Sequence, residues 1–251
     1  MHNKDFFWPV VPLCEKQLRD VRQEDILNNG LYRKCNTYRG GGGYDRFESI
    51  YRRRFSLNND LNLKDQFVVQ LKGCVLSCPY CYVTQEGVDG LPVHKSSSEI
   101  VADFRNTGLK VFHLMGGAPG LYLSYWDEIL SQLSDDEVFH SDLLLLEGRY
   151  DLKILQELGA YSRQLIAVSI KGATEEEFSH NTGCLLNSAL FWENFDVLLN
   201  SRIPFYLTYT GMGNDSIELF KQQVMDRYGN DADNILADSF AIQIIRYEAL
   251  K

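Results

Sequence analysis

The chain has 251 residues, enough for one large α/β domain with a well-buried core. Hydrophobic residues make up 45% and charged residues 24%, an ordinary balance for a soluble globular protein, and no apolar run is long enough for a membrane span. A formal net charge of −9 disfavours a nucleic-acid partner, and six cysteines in a chain of this length do not make a disulfide scaffold.

The opening Met1-His2-Asn3-Lys4-Asp5 lacks the charged-then-apolar pattern of a signal peptide. Residues 1–64 read as an irregular N-terminal extension that packs on the main unit or covers a site. Periodicity there is weak, apart from a helix candidate from Glu15 to Leu27. The segment holds Cys14, Cys35, the run Gly40-Gly41-Gly42-Gly43 and the triplet Arg52-Arg53-Arg54. From Asp65 to the end at 251 the pattern becomes regular. Strands are expected at Gln66–Leu71, Lys110–Met115, Asp142–Glu147, Leu165–Lys171, Pro204–Thr210 and Phe240–Tyr247. Helices are expected at Ser97–Asn106, Tyr122–Leu133, Leu152–Leu158, Leu186–Leu199 and Ile217–Tyr228. Strands alternating with helices imply an α/β fold with a parallel sheet and right-handed crossovers. Periodicity alone does not choose between a barrel and an open doubly wound layer.

The most informative run is Gly73-Cys74-Val75-Leu76-Ser77-Cys78-Pro79-Tyr80-Cys81-Tyr82, just after the first of these strands. Cys74, Cys78 and Cys81 stand at C-x3-C-x2-C spacing. Three thiolates on one tight loop suit a cubane of four irons and leave one iron free for another ligand. The rival is a non-catalytic zinc-binding protein. Structural zinc usually wants four ligands, the C-x2-C pair has no second such pair, and His94 is the available fourth ligand. Cys14, Cys35 and Cys184 are isolated and read as ordinary cysteines.

Ligands of barrels and parallel sheets gather at the carboxyl ends of strands. The second strand ends in Gly116-Gly117-Ala118-Pro119, where glycine permits close approach to the main chain. The third ends in Glu147-Gly148-Arg149, either a rim ion pair or a ligand contact. On the fourth, alternation puts Ser169 and Lys171 on one face, away from the β-branched positions. On the fifth, Tyr206, Thr208 and Thr210 share a face. The sixth ends in Arg246-Tyr247-Glu248. His113, on the second strand, reads as a packed core histidine.

The cysteine spacing, with aromatic Tyr80 before the last cysteine, resembles the radical S-adenosylmethionine (SAM) superfamily. That resemblance implies a partial (β/α)6 barrel with the cysteine loop after the first strand. It further implies a [4Fe-4S] cluster on Cys74, Cys78 and Cys81, and SAM as cofactor. Gly116-Gly117-Ala118 resembles the Gly-Gly-Glu-Pro motif that lines the SAM amine, with Ala118 in place of the acidic residue. Ser169-Ile170-Lys171 resembles the Asp-x-Lys stretch of glycyl-radical-enzyme activases, with Ser169 in place of the acid. Tyr80, Glu147, Thr208 and Tyr247 complete the implied cofactor contacts. An oxygen-sensitive cluster implies a reducing cytoplasm and an electron donor such as flavodoxin or ferredoxin.

The activity so implied is reductive cleavage of SAM to a 5′-deoxyadenosyl radical, of oxidoreductase or lyase type, on a small polar or anionic substrate. Arg52, Arg53, Arg54 and Tyr206 are the residues assigned to that substrate, the arginines because they offer planar, permanently charged forks. Two further readings stay open: an activase that installs a glycyl radical on a partner enzyme, and a peptide-modifying enzyme.

Overall fold

The computed structural model describes residues 6–36, 44–55, 61–81, 83–211, 214–238 and 240–243. The strands are β1 (Phe7–Val10), β2 (Ile26–Leu27), β3 (Tyr32–Asn36), β4 (Asp65–Val69), β5 (Val93–Ser96), β6 (Val111–Leu114), β7 (Val138–Leu143), β8 (Gln164–Ile170), β9 (Phe205–Gly211) and β10 (Phe240–Gln243). The helices are α1 (Glu15–Asp20), α2 (Tyr44–Phe55), α3 (Thr84–Asp89), α4 (Ser97–Asn106), α5 (Trp126–Leu130), α6 (Leu152–Leu158), α7 (Glu175–Thr182), α8 (Ser188–Ser201), α9 (Asn214–Tyr228) and α10 (Ala232–Leu236).

Eight strands form one sheet in the order β10-β9-β8-β7-β6-β4-β3-β2. From β4 through β6 to β10 every pairing is parallel, and sequence neighbours are sheet neighbours. A doubly wound sheet would reverse its strand order at a switch point, and this one does not. Continuous winding of one hand keeps the crossover helices on one side and curls the sheet toward a barrel. The barrel is partial: β2 and β3 continue the sheet antiparallel beyond β4.

The two faces are chemically distinct. Phe67, Phe112, Phe139, Ile166 and Leu207 point outward into a core with Phe104 of α4, Trp126 of α5, Leu155 of α6 and Phe195 of α8. The helices start where local chemistry dictates. At α4, Ser96 Oγ accepts from Glu99 N–H at 3.2 Å, while the Glu99 carboxylate accepts from Ser96 N–H at 2.8 Å, a reciprocal cap. Asp151, Thr174 and Asn187 cap α6, α7 and α8 through their side-chain oxygens. The inner face carries Val111, Val138, Leu165, Ala167 and Tyr206, and these pack against Phe47, Ile50 and Tyr51 of α2.

Two expectations are corrected here. The segment before Asp65 is not irregular where it is described: β3 pairs with β4, and α2 fills the amino-terminal end of the inner face. The third strand of the parallel series is Val138–Leu143, not Asp142–Glu147. The leucine run belongs mostly to the loop beyond it, where buried Leu145 has φ +63. The glycine run at 40–43 lies outside the described residues. No helix among the described residues is long and apolar enough to cross a membrane.

Candidate active site

The cysteine loop leaves the sheet beyond β4. Cys74, Cys78 and Cys81 are all half-buried free thiols. Cys81 N–H bonds Cys78 C=O at 3.0 Å, turning the chain back on itself, and Leu76 N–H donates to Cys74 Sγ at 3.4 Å. Burial pushes the Cys74 thiol up to about 11. It also raises Cys78, an effect opposed first by the cation of Lys171. Desolvated thiols with a backbone donor and a nearby cation suit an iron–sulfur cluster, whose sulfurs are stabilised by such contacts. Tetrahedral zinc would hold its sulfurs roughly 3.8 Å apart, from zinc–sulfur bonds of about 2.3 Å. Among the described residues the one group of three such ligand atoms lying within 4.8 Å of one another is His113, His140 and Asp142, so Cys74, Cys78 and Cys81 do not stand together at zinc spacing.

Gly116 (φ +83) and Gly117 (φ +64) both occupy the left-handed region. A Cβ on Gly117 would stand 2.4 Å from the carbonyl oxygens of Leu71 and Gly73. Ala118 N–H also donates to Gly73 C=O at 2.8 Å. The immediate reason for Gly117 is therefore contact with the base of the cysteine loop, whereas a Cβ on Gly116 would meet the Gln70 side chain at 2.6 Å. Ala118 itself is fully buried, against Leu76, Leu144 and Phe178.

Ser169, Thr208 and Lys171 lie toward the same end. Ser169 Oγ and Thr208 Oγ1 are 3.2 Å apart. Lys171 Nζ stands 5.8 Å from the ring centre of Tyr80. The Tyr80 phenol is held well above its ordinary range by burial, with Cys78 and Thr210 as hydrogen-bonding neighbours. A cleft opens beside Ser169 and Lys171, walled by Leu144, Phe178, Trp192 and Phe220.

Three sequence-derived assignments fall elsewhere. Glu147 accepts from Leu144 N–H and Leu146 N–H, both at 2.9 Å, and from Tyr150 Oη–H at 2.6 Å. Its carboxylate holds its own loop in shape, which accounts for a charged residue at this strand end without a cofactor. Arg52 bridges to Glu48 at 2.8 Å and donates to Leu61 C=O at 2.7 Å, while Arg53 and Arg54 both pair with Asp238. Leu61 precedes β4 and Asp238 precedes β10, so the arginines sit at the amino ends of the strands, far from the cysteine loop in the topology. Tyr206 is buried and engaged by His140 rather than standing at the mouth. Tyr247 lies outside the described residues.

Sequence reasoning missed a polar group within the sheet. His113 and His140 stack with ring centres 3.9 Å apart, and His113 Nε2 lies 3.6 Å from Asp142 Oδ2. His140 contacts Gln66 Oε1 at 3.0 Å through Nδ1 and Tyr206 Oη at 2.9 Å through Nε2. Burial drives the His113 imidazole down to about 3, helped by the Arg33 cation, and holds His140 well below its usual range. Both rings are therefore neutral. The signal was their equal spacing in register: His113 faces His140 across β6 and β7. Cys184, read as isolated, packs against the same apolar cluster as Cys74 and Cys78, with Sγ 3.7 Å from Val75 C=O in the cysteine loop.

The family model for the radical SAM superfamily matches residues 68–222, well over half the chain. The chain belongs to the radical SAM superfamily. A radical SAM domain of this kind uses a [4Fe-4S] cluster and SAM as its cofactors. No curated protein matches it significantly. Among solved structures, native anSMEcpe with bound AdoMet is similar at TM-score 0.48 and 15% identity, over 69% of this chain and 49% of that one. Native anSMEcpe with bound AdoMet and Cp18Cys peptide is similar at TM-score 0.47 and 15% identity, over 69% and 48%. The chain thus spans about half the length of these solved relatives.

Proposed function

We propose that this enzyme directs its SAM-derived radical at a carbon–hydrogen bond of a small polar molecule seated on the inner face of the sheet. One observation carries the reading: the inner face is closed at the amino ends by Phe47, Ile50 and Tyr51 of α2, while polar side chains and thiols gather at the carboxyl ends. A chamber with a filled floor admits a small molecule from the loop side and excludes a long chain from passing through.

In this reading Cys74, Cys78 and Cys81 hold the cluster, and Leu76 N–H steadies the Cys74 sulfur. Lys171 offers a cation to the SAM carboxylate, and Ser169 and Thr208 offer hydroxyls to the ribose. When bound, cluster and SAM supply a 5′-deoxyadenosyl radical that abstracts a hydrogen atom. The protein contributes positioning and exclusion of water. The electron donor is a small redox protein of the flavodoxin or ferredoxin kind.

The test is anaerobic incubation of reconstituted enzyme with SAM, reductant and a metabolite extract from deuterium-grown cells. Mass spectrometry then follows deuterium into 5′-deoxyadenosine. Transfer from a low-molecular-weight fraction supports the reading. Transfer only from protein or peptide fractions would refute it.

A further inference from the structure

Asp142 is the one carboxylate among the described strand residues whose register places it on the inner face. It follows His140 by two residues on β7 and stands opposite Ala167 of β8. Beneath are His113 and His140, which are fully buried, whereas the Asp142 side chain keeps 27% of its surface open. The acid, not the imidazoles, therefore meets the chamber. The His113 nitrogen at 3.6 Å is beyond ordinary hydrogen-bond length. Lys171, reaching in from the cysteine-loop end, acts on Asp142 as an attracting charge.

A metal ion is a poor match for this group. Imidazoles bind metals through in-plane lone pairs, and two rings stacked at 3.9 Å and 27° do not aim those lone pairs at one point. Both His140 nitrogens are already engaged. In this amide orientation Gln66 Oε1 accepts from His140 Nδ1–H. The neutral ring must then accept at Nε2 from Tyr206 Oη–H. His140 is thus satisfied by its own neighbours, and the Asp142 carboxylate above it keeps part of its surface open.

Resting on the small-molecule reading above, we infer that Asp142 is the substrate-orienting acceptor of the chamber, and that the substrate presents it with a hydrogen-bond donor, an ammonium or a hydroxyl. A mostly buried carboxylate is costly unless donors satisfy it, and a substrate N–H or O–H supplies them where bulk water is excluded. The anion-binding arginines expected from sequence lie at the other end of the sheet. An amine or polyol therefore fits this chamber better than a molecule known chiefly by its negative charge.

The experiment uses the deuterium-transfer assay with the extract separated by ion exchange, and compares wild type with Asp142→Asn and Asp142→Glu. Asn keeps the shape and loses the charge; Glu keeps the charge and moves it by one methylene. Iron content, the SAM-induced change in the reduced-cluster spectrum and the melting temperature report whether each variant is intact. The expected result is transfer from the cation-exchange fraction (an amine) or the unretained neutral fraction (a polyol). KM should rise at least about tenfold in Asp142→Asn, consistent with losing one charge-assisted hydrogen bond, and should rise in Asp142→Glu as well. Wild-type KM in Asp142→Asn, or transfer confined to the anion-exchange fraction, would overturn the inference alone. If no small-molecule fraction gives transfer in wild type while SAM is cleaved, the small-molecule reading falls and takes the Asp142 assignment with it. A variant that loses its cluster or melts early would show that Asp142 is structural and also defeat the inference.

Discussion

The two ends of the inner face are built on opposite terms. At the amino ends, Phe47, Ile50 and Tyr51 of α2 fill the space between Val111, Val138 and Leu165, and Arg53 and Arg54 close over the buried Asp238. At the carboxyl ends, three thiols, a lysine and two hydroxyls meet beside glycines with positive φ. The first end is apolar packing with its charges neutralised. The second leaves polar groups to be satisfied by something that arrives. A parallel barrel makes this division available because the crossover loops on one side can vary while the other side is packed shut.

The sharpest way to break the comparison is at the thiols. Cys74→Ala, Cys78→Ala and Cys81→Ala should each abolish SAM cleavage, because an iron loses its protein ligand. Iron and sulfide analysis after anaerobic reconstitution checks this. Cys14→Ala and Cys35→Ala should keep wild-type iron. Cys184→Ala is the informative control: it packs against the loop, so it should change cluster yield modestly without removing the cluster.

Next in size is Gly117→Val. The new side chain meets two backbone carbonyls at a left-handed position, which costs about 3–5 kcal/mol from strain and overpacking together. The expected outcome is loss of cluster and a lower melting temperature, not a selective loss of SAM affinity. A normal cluster with weakened SAM binding would show that the glycine serves the cofactor directly.

Much of this division was legible in the sequence. Helices Ser97–Asn106 and Leu152–Leu158 follow from apolar spacing, and the cysteine spacing alone singled out the loop proposed to hold the cluster. The third parallel strand was not legible, for a physical reason. Two of its three inward residues are His140 and Asp142, polar groups that are hydrogen-bonded or partly exposed, so the strand lacks the apolar run that marks a covered strand. The adjacent leucines carry that run instead, but Glu147 and Asn194 tie their backbone into a loop. Helix α2 was hidden because three apolar residues, Phe47, Ile50 and Tyr51, sit among arginines. Their i, i+3, i+4 spacing is visible only once the inner face they fill is known. The role of Arg52, Arg53 and Arg54 likewise depended on Asp238, which lies 184 residues from Arg54 in sequence and follows no motif.

Lys171→Ala tests the open end without touching the cluster ligands. Removing the cation should weaken SAM binding roughly 10- to 100-fold, as expected for one charge-assisted contact. Calorimetry on reconstituted enzyme measures it. An unchanged affinity would mean that Lys171 serves Asp142 or the substrate instead.

Acid should expose the middle layer. The folded His113 binds its proton only near pH 3, against an ordinary value of 6.5. Between those values the unfolded chain holds more protons than the native one, so stability rises with pH and is lost on acidification. The loss should be at most about 1.4 kcal/mol per pH unit for this histidine, in addition to that from His140. Urea unfolding at pH 7 and pH 5.5 should show it, and His113→Asn should reduce the slope.

The smallest effect is expected at the closed end, where it discriminates most cleanly between the two halves. Arg53 and Arg54 are partly exposed, so pairing with Asp238 stabilises only modestly, yet the acid they cover is buried. Arg53→Gln with Arg54→Gln removes both cations and leaves that carboxylate to neutral donors. The cost should be about 1–2 kcal/mol, above a typical surface pair and below a fully buried one. Adding Asp238→Asn to the same chain should recover most of it, because the uncompensated charge is then gone. SAM affinity and substrate KM should match wild type throughout. A raised KM with unchanged stability would move these arginines from the closed end of the barrel to the substrate.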